Sequence, residues 1–125
     1  MFQKEVADRL IATPSTKAYG RLSIMTQWLC DTRHLFNVDK RAFFPPPKVM
    51  SSVILLRARP EPLAPANWHA LEEITAAAFN QRRKMLRSSL KAYQLDFTAL
   101  KIDPELRAEN LSIEQFCLMA RAISP

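Results

Sequence analysis

Two short segments of this 125-residue chain hold residue types that could grip or present a ligand. The first spans residues 80–91, NQRRKMLRSSLK. It carries Arg82, Arg83, Lys84, Arg87 and Lys91 with no acidic residue among them. On a helix, Arg83, Arg87 and Lys91 fall at i, i+4 and i+8 and share one face beside Lys84, while Met85, Leu86 and Leu90 take the inner side. Guanidinium groups bind phosphate oxygens bidentately, so a strip of this kind suits a polyanion. A basic helix face is more often simply solvated. The missing acidic partners favour nucleic acid, with a log–log salt slope of roughly −3 to −4.5 if all five charges touch phosphate. The second segment spans residues 42–52, AFFPPPKVMSS. Its three consecutive prolines lack N–H groups and fix φ, which makes a stiff, extended loop that holds Phe43 and Phe44. The commoner use of such a loop is a hydrophobic plug over a sheet edge. The functional use is a rigid aromatic for a planar ligand, because bases stack on aromatic faces at about 1–3 kcal/mol each.

The rest of the composition narrows the possibilities. Hydrophobic residues make up 48% and charged residues 24%, which is globular rather than disordered. No apolar run approaches the ~20 residues of a membrane span, and the N-terminus lacks the apolar stretch of a signal peptide. Cys30 and Cys117 are far apart and read as reduced thiols in a cytoplasmic protein; His34 and His69 stand alone, so no metal site is expected. The formal net charge of +6 favours a polyanionic partner. Residues 1–66 hold 10 basic and 5 acidic residues, and residues 67–125 hold 8 and 7, with five of those eight inside 82–91. The single glycine, Gly20, excludes a phosphate-cradling loop, which needs several.

The elements that must position these segments follow from pattern and punctuation. Phe2, Val6 and Leu10 at four-residue spacing predict an amphipathic first helix ended by Pro14. Leu22, Met25 and Leu29 predict a second helix from about Gly20. Residues 32–38 read as a strand, and residues 49–57 as a better one, so the proline loop would join two antiparallel strands at a sheet edge. RPEPLAPAN, with Pro60, Pro62 and Pro65, reads as a stiff linker. Asn67 is expected to cap a helix over 68–79 with Leu71, Ile74 and Ala78 inward, and Asn80 to cap another over 81–92. A helical turn is expected near 97–100. Asp103-Pro104 reads as the start of a short helix. Ser112 and Gln115 form a capping box with Leu111 and Phe116 at the staple positions, followed by Phe116, Met119, Ala120 and Ile123 inward. Two strands make a marginal sheet, so Phe2, Val6, Leu29 and Ile54 are expected to face water or a partner.

FFPPPKVMSSVILL fits the pattern F-x-P-x-P-K-V-x-S-x-V and resembles the KsgA family of rRNA adenine N6,N6-dimethyltransferases. QKEVADRL, KAYGRLSIMTQ, AFNQRRKMLRSSL and RAENLSIEQF resemble the same family, in the same order, across nearly the whole chain. The resemblance implies a fold: an α/β, partial Rossmann-like methyltransferase core of two strands and two helices over 1–59, a linker over 60–66, and a small all-α rRNA-binding domain over 67–125, helix-dominated overall. It also implies an activity. Family members use S-adenosylmethionine to dimethylate two adjacent adenosines near the 3′ end of small-subunit rRNA during ribosome biogenesis. Their partner is the immature small subunit, with no membrane and no metal.

On the same resemblance, Phe43 falls on the aromatic that packs against the flipped target adenine, and Pro45 and Pro47 shape its loop. Lys48 lies near the RNA backbone, and Arg82, Arg83, Lys84 and Arg87 serve RNA docking; Lys91 is expected to join them through the cationic strip described above. Phe44 sits at the variable position and is expected to pack locally. The family's glycine-rich cofactor motif and its N-L-P-Y catalytic motif would precede Met1. These residues are therefore expected to form the C-terminal half of such an enzyme, to bind no cofactor and to be inactive alone. The alternative is a non-catalytic RNA-binding or ribosome-assembly module.

Overall fold

The structure, a computed structural model, describes residues 1–124. The first half forms a three-stranded antiparallel sheet of β1 (Phe2–Gln3), β2 (Cys30–Val38) and β3 (Ser51–Ala58), in the order β1-β3-β2. The sequence predicts only the latter two. Two residues carry no period, so β1 has no local signature; it exists through its register with β3, Phe2 opposite Ser52 and Gln3 opposite Ser51. β2 and β3 run from the Cys30–Ala58 pair to the Val38–Ser51 pair, with a bulge between His34 and Phe36. The bulge inserts Leu35 into the ladder and re-aims the strand around it.

Helix α1 (Lys4–Ile11) lies against β3 and buries Ala7 and Leu10 with Ile54. Alternation along β3 turns Ser52 and Ile54 into the structure. The expected exposure of Phe2, Val6, Leu29 and Ile54 is therefore corrected: Ile54 is buried, and the other three are half-buried. The large apolar residues that do face solvent on the strands are Leu35, Phe36, Leu55 and Leu56.

Helix α2 (Arg21–Leu29) has a different inner face from the one its leucines suggest. Ser23, Ile24 and Trp28 are buried, while Leu22 is 43% exposed. Ser23 sets the phase. Its hydroxyl accepts from the Gly20 N–H at 3.1 Å and donates to the Arg9 carbonyl, which ties the start of α2 to the end of α1. Gln27 adds two more ties, from Nε2 to the carbonyls of Leu10 and Ala12 at 2.9 and 2.8 Å.

The remainder is helical. It comprises α3 (Trp68–Asn80), α4 (Leu86–Ser89), α5 (Phe97–Leu100) and α6 (Ile113–Ile123), with 3₁₀ turns at Lys91–Tyr93 and Ala108–Asn110. Asn67 caps α3, its side chain accepting from the Ala70 N–H at 3.1 Å. Ser112 and Gln115 make the reciprocal box on α6, at 3.2 and 2.9 Å. Removing the hydroxyl with Ser112→Ala should cost about 1 kcal/mol, read as a lower denaturant midpoint at unchanged slope. A shift below a few tenths of a kcal/mol would deny the cap that role.

The main core takes residues from both sides of the linker. Tyr19, Ile24 and Trp28 pack with Leu71, Ile74, Ala78, Leu86, Leu90 and the α6 residues Phe116, Cys117, Met119 and Ala120. Tyr19 is fully buried, donates to the Leu111 carbonyl at 2.8 Å and meets Phe79 edge-on at 6.2 Å. Burial pushes its hydroxyl pKa well up and pushes the Cys117 thiol to about 11, so both stay protonated at neutral pH. Cys30 and Cys117 are both free thiols.

Two predicted helices are corrected. The helix expected over 81–92 is broken. Gln81 leaves helical geometry at φ −124, ψ 59, and Met85 is extended at φ −63, ψ 153. Met85 bridges Arg107, and the N–H groups of Leu86 and Arg87 bond the carbonyls of Leu106 and Pro104 at 2.8 and 3.0 Å. Those donors are the ones a continuous helix would spend on its own preceding turn. The same pairing replaces the helix expected after Asp103. There, the Glu105 N–H bonds the Asp103 carboxylate at 2.9 Å in a turn that feeds the bridge.

Candidate nucleic-acid interface

The broken helix disperses the expected cationic strip. Arg83 and Lys84 sit on an exposed turn, Arg87 lies on α4 and Lys91 on the following 3₁₀ turn, all exposed, so no single helix face carries Arg83, Arg87 and Lys91. Arg82 is taken inward. Its guanidinium donates to the carbonyls of Lys17 and Thr16 at 2.9 and 3.3 Å and meets Glu109 at 3.4 Å. It also lies 5.6 Å from the centre of the Phe79 ring. The expectation that the segment lacks an acidic partner is corrected at this residue: Glu109 lies 27 positions away in sequence.

Arg82 thereby helps to line a cleft that the sequence does not announce. Arg9, Lys17, Arg21 and Arg82 converge there around a volume of about 360 Å³ floored by Gly20 and Phe79. Arg9 is paired with Glu5 at 2.8 Å. Among the described residues, no carboxylate lies within 4.0 Å of Lys17 or Arg21. The charge of the first 66 residues, ten basic against five acidic, was the available signal, but the four cations lie up to 73 positions apart.

The proline loop occupies residues 39–50, between β2 and β3. Asp39 opens it by accepting from the Arg41 N–H at 2.8 Å and from the Arg41 guanidinium at 2.9 Å. The Arg41 side chain, more than any other contact, holds the Asp39 carboxyl below its ordinary range. A 3₁₀ turn, Lys40–Ala42, follows, and the Phe44–Pro45 bond is cis. Phe43, Phe44, Pro45 and Pro47 border a depression of about 350 Å³ together with Met1 and Ser51. Phe43 is half-buried. Phe44 is 100% exposed, which corrects the expectation that it packs locally. Each following proline restrains its neighbour to extended backbone, which leaves the ring no partner within the loop. Lys48 is exposed just beyond.

Solved structures place this fold. It superposes on a dimethyladenosine transferase from Plasmodium falciparum with a TM-score of 0.78, at 24% identity, over 94% of this chain and 53% of that one. It superposes on the 23S rRNA methyltransferase ErmE with a TM-score of 0.60, over 98% of this chain and 52% of that one. The fold is thus one found in rRNA methyltransferases. The family described as ribosomal RNA adenine dimethylase matches residues 1–124, and the chain belongs to that family. Relatives named ribosomal RNA small subunit methyltransferase A are 58% identical in Rhodospirillum rubrum and 53% identical in Afipia carboxidovorans, each over 98% of this chain. The chain spans about half the length of these relatives, 44% and 45% respectively. Among the described residues, no helix is long and apolar enough to cross a membrane, and no three metal-ligating side chains cluster.

Proposed function

We propose that these residues are the target-presenting and RNA-docking part of an enzyme that dimethylates two adjacent adenosines near the 3′ end of small-subunit rRNA. The observation that carries this reading is the 58% identity, over 98% of the chain, to a relative named for methylation of small-subunit rRNA. The proline loop supports it. Phe43 lines an open depression on a segment that three prolines restrain, which suits the face of one flipped base. Pro45 and Pro47 border the same depression, and Lys48 extends the loop with an exposed cation within reach of a backbone phosphate. Arg83, Lys84, Arg87 and Lys91 present four further exposed cations for the surrounding rRNA. The sheet and its two helices read as part of a Rossmann-like core, with the linker at 60–66 leading into the helical, RNA-docking portion.

The methyl donor of such an enzyme is S-adenosylmethionine, and the residues present do not fit it. The only glycine, Gly20, is extended at φ −168, and a Cβ there would meet Arg82 Nη1 at an ordinary 3.9 Å. It is neither a turn glycine nor a close-approach glycine, and no second one is available to build a cradle. The 125-residue chain by itself is therefore expected to bind no S-adenosylmethionine and to transfer no methyl group. Calorimetric titration of the chain with S-adenosylmethionine should give only heats of dilution. A saturable isotherm in the micromolar range would overturn this division of labour.

A further inference from the structure

A second depression adjoins the cationic cleft. Its volume is about 320 Å³, and it is lined by Arg21, Leu22, Met25, Trp68 and Glu72. Arg21 and Leu22 belong to both depressions, so the two form one continuous surface. We propose that this surface binds one nucleotide step of single-stranded RNA, with a backbone phosphate between Lys17, Arg21 and Arg82 and the adjoining base against Trp68. The proposal rests on the reading that RNA is the partner, and adds a site remote in sequence from the Phe43 loop.

Three features carry it. Trp68 is 45% exposed although it begins α3, and its ring is backed by Trp28, 5.7 Å away at an interplanar angle of 49°. Trp28 is itself fixed, 3% exposed with Nε1 donating to the Ala64 carbonyl at 2.7 Å. Trp68 is thus braced by a tilted contact with a fixed ring while much of it stays exposed, which lowers the ordering cost of stacking a base. Beside it, Leu22 stands 43% exposed and extends the apolar floor. The charges then give the strand a direction. Among the described residues no carboxylate pairs with Lys17 or Arg21 at the phosphate end, and Arg82 is pre-positioned by the Thr16 and Lys17 carbonyls and by Glu109 at 3.4 Å, which the phosphate would have to displace or share. Glu72 lies at the tryptophan end, where it repels phosphate but tolerates a neutral base. No acidic side chain is among the described residues that line the cleft, although Glu5 and Glu109 pair with Arg9 and Arg82 beside it.

The test titrates the 125-residue chain with a labelled short oligoadenylate and with an abasic ribose-phosphate strand of equal length, across a salt series, by fluorescence anisotropy. Trp68→Leu should weaken the oligoadenylate about tenfold and leave the abasic strand unchanged, whereas Trp68→Phe should retain most of the affinity. The pair Lys17→Gln and Arg21→Gln should weaken both strands and flatten the log–log salt slope by about 0.7, the contribution of the one phosphate they hold. Thermal melting of each variant separates these effects from unfolding, and Trp68→Phe keeps the Trp28 contact if the leucine variant melts early. Equal effects of Trp68→Leu on both strands, or an unchanged slope in the double variant, would overturn the site while leaving RNA binding intact. A wild-type chain that binds neither strand would overturn the site and the RNA reading together.

Discussion

Phe116→Ala is expected to remove about 3–5 kcal/mol of stability, a large share of the roughly 5–15 kcal/mol that holds a domain folded. Phe116 is fully buried and stacks on Phe79 at 5.8 Å and 27°. Phe79 in turn meets Tyr19 edge-on, so the ring stack links α6 through α3 to the segment before α2. Truncation leaves a cavity where helices from both halves of the chain converge, and the surrounding backbone can relax only in part. The loss should therefore reach beyond α6: amides of α2 around Ile24 and Trp28 should exchange as fast as those of α6. Phe116→Leu, which refills much of the volume, should lose far less. Urea unfolding that shows less than about 1 kcal/mol of destabilisation in Phe116→Ala would contradict the shared core.

The largest effect on function is expected at Phe43. In a protein that carries these residues together with the cofactor-binding portion of a relative, Phe43→Ala should lower kcat/KM for rRNA methylation by about 10- to 100-fold, the range set by one base–aromatic stack. Lost stacking on a flipped base should appear mainly in turnover, because the base meets the ring only after it leaves the RNA stack. Phe44→Ala makes the control. Phe44 is completely exposed and is not the ring assigned to the adenine, so its loss should change the rate by less than about threefold, short of what one base–aromatic stack contributes. A large loss at Phe44 with a small loss at Phe43 would exchange the two assignments.

The features legible in the sequence were those with local causes. α3 follows from Asn67 and the Leu71, Ile74, Ala78 spacing, and α6 from the Ser112 and Gln115 box with its staple. β3 follows from its β-branched run, although it begins two residues later than predicted and extends one further. What the sequence hid depends on distant partners. β1 is two residues long and is defined only by its register with β3. The helix break at Met85 is enforced by the segment around Arg107, so the basic residues that a helical wheel aligns are scattered in space. Ser23, a small polar residue that a hydrophobic-period reading passes over, rotates α2 and leaves Leu22 outside. The candidate site divides in the same way. The Phe43 loop is contiguous and can be read from its prolines, whereas the cleft of Arg9, Lys17, Arg21 and Arg82 exists only after folding.

The most direct measurement compares methyl transfer by two proteins: the 125-residue chain alone, and the same residues joined in register to the preceding portion of the Rhodospirillum rubrum relative. Each is incubated with labelled S-adenosylmethionine and immature small ribosomal subunits, and the labelled rRNA is mapped. The joined protein should deposit label as dimethyladenosine at two adjacent positions near the 3′ end of the small-subunit rRNA, and the chain alone should deposit none. Label deposited by the chain alone, or a folded, cofactor-binding joined protein that leaves those two adenosines unmodified, would contradict the account.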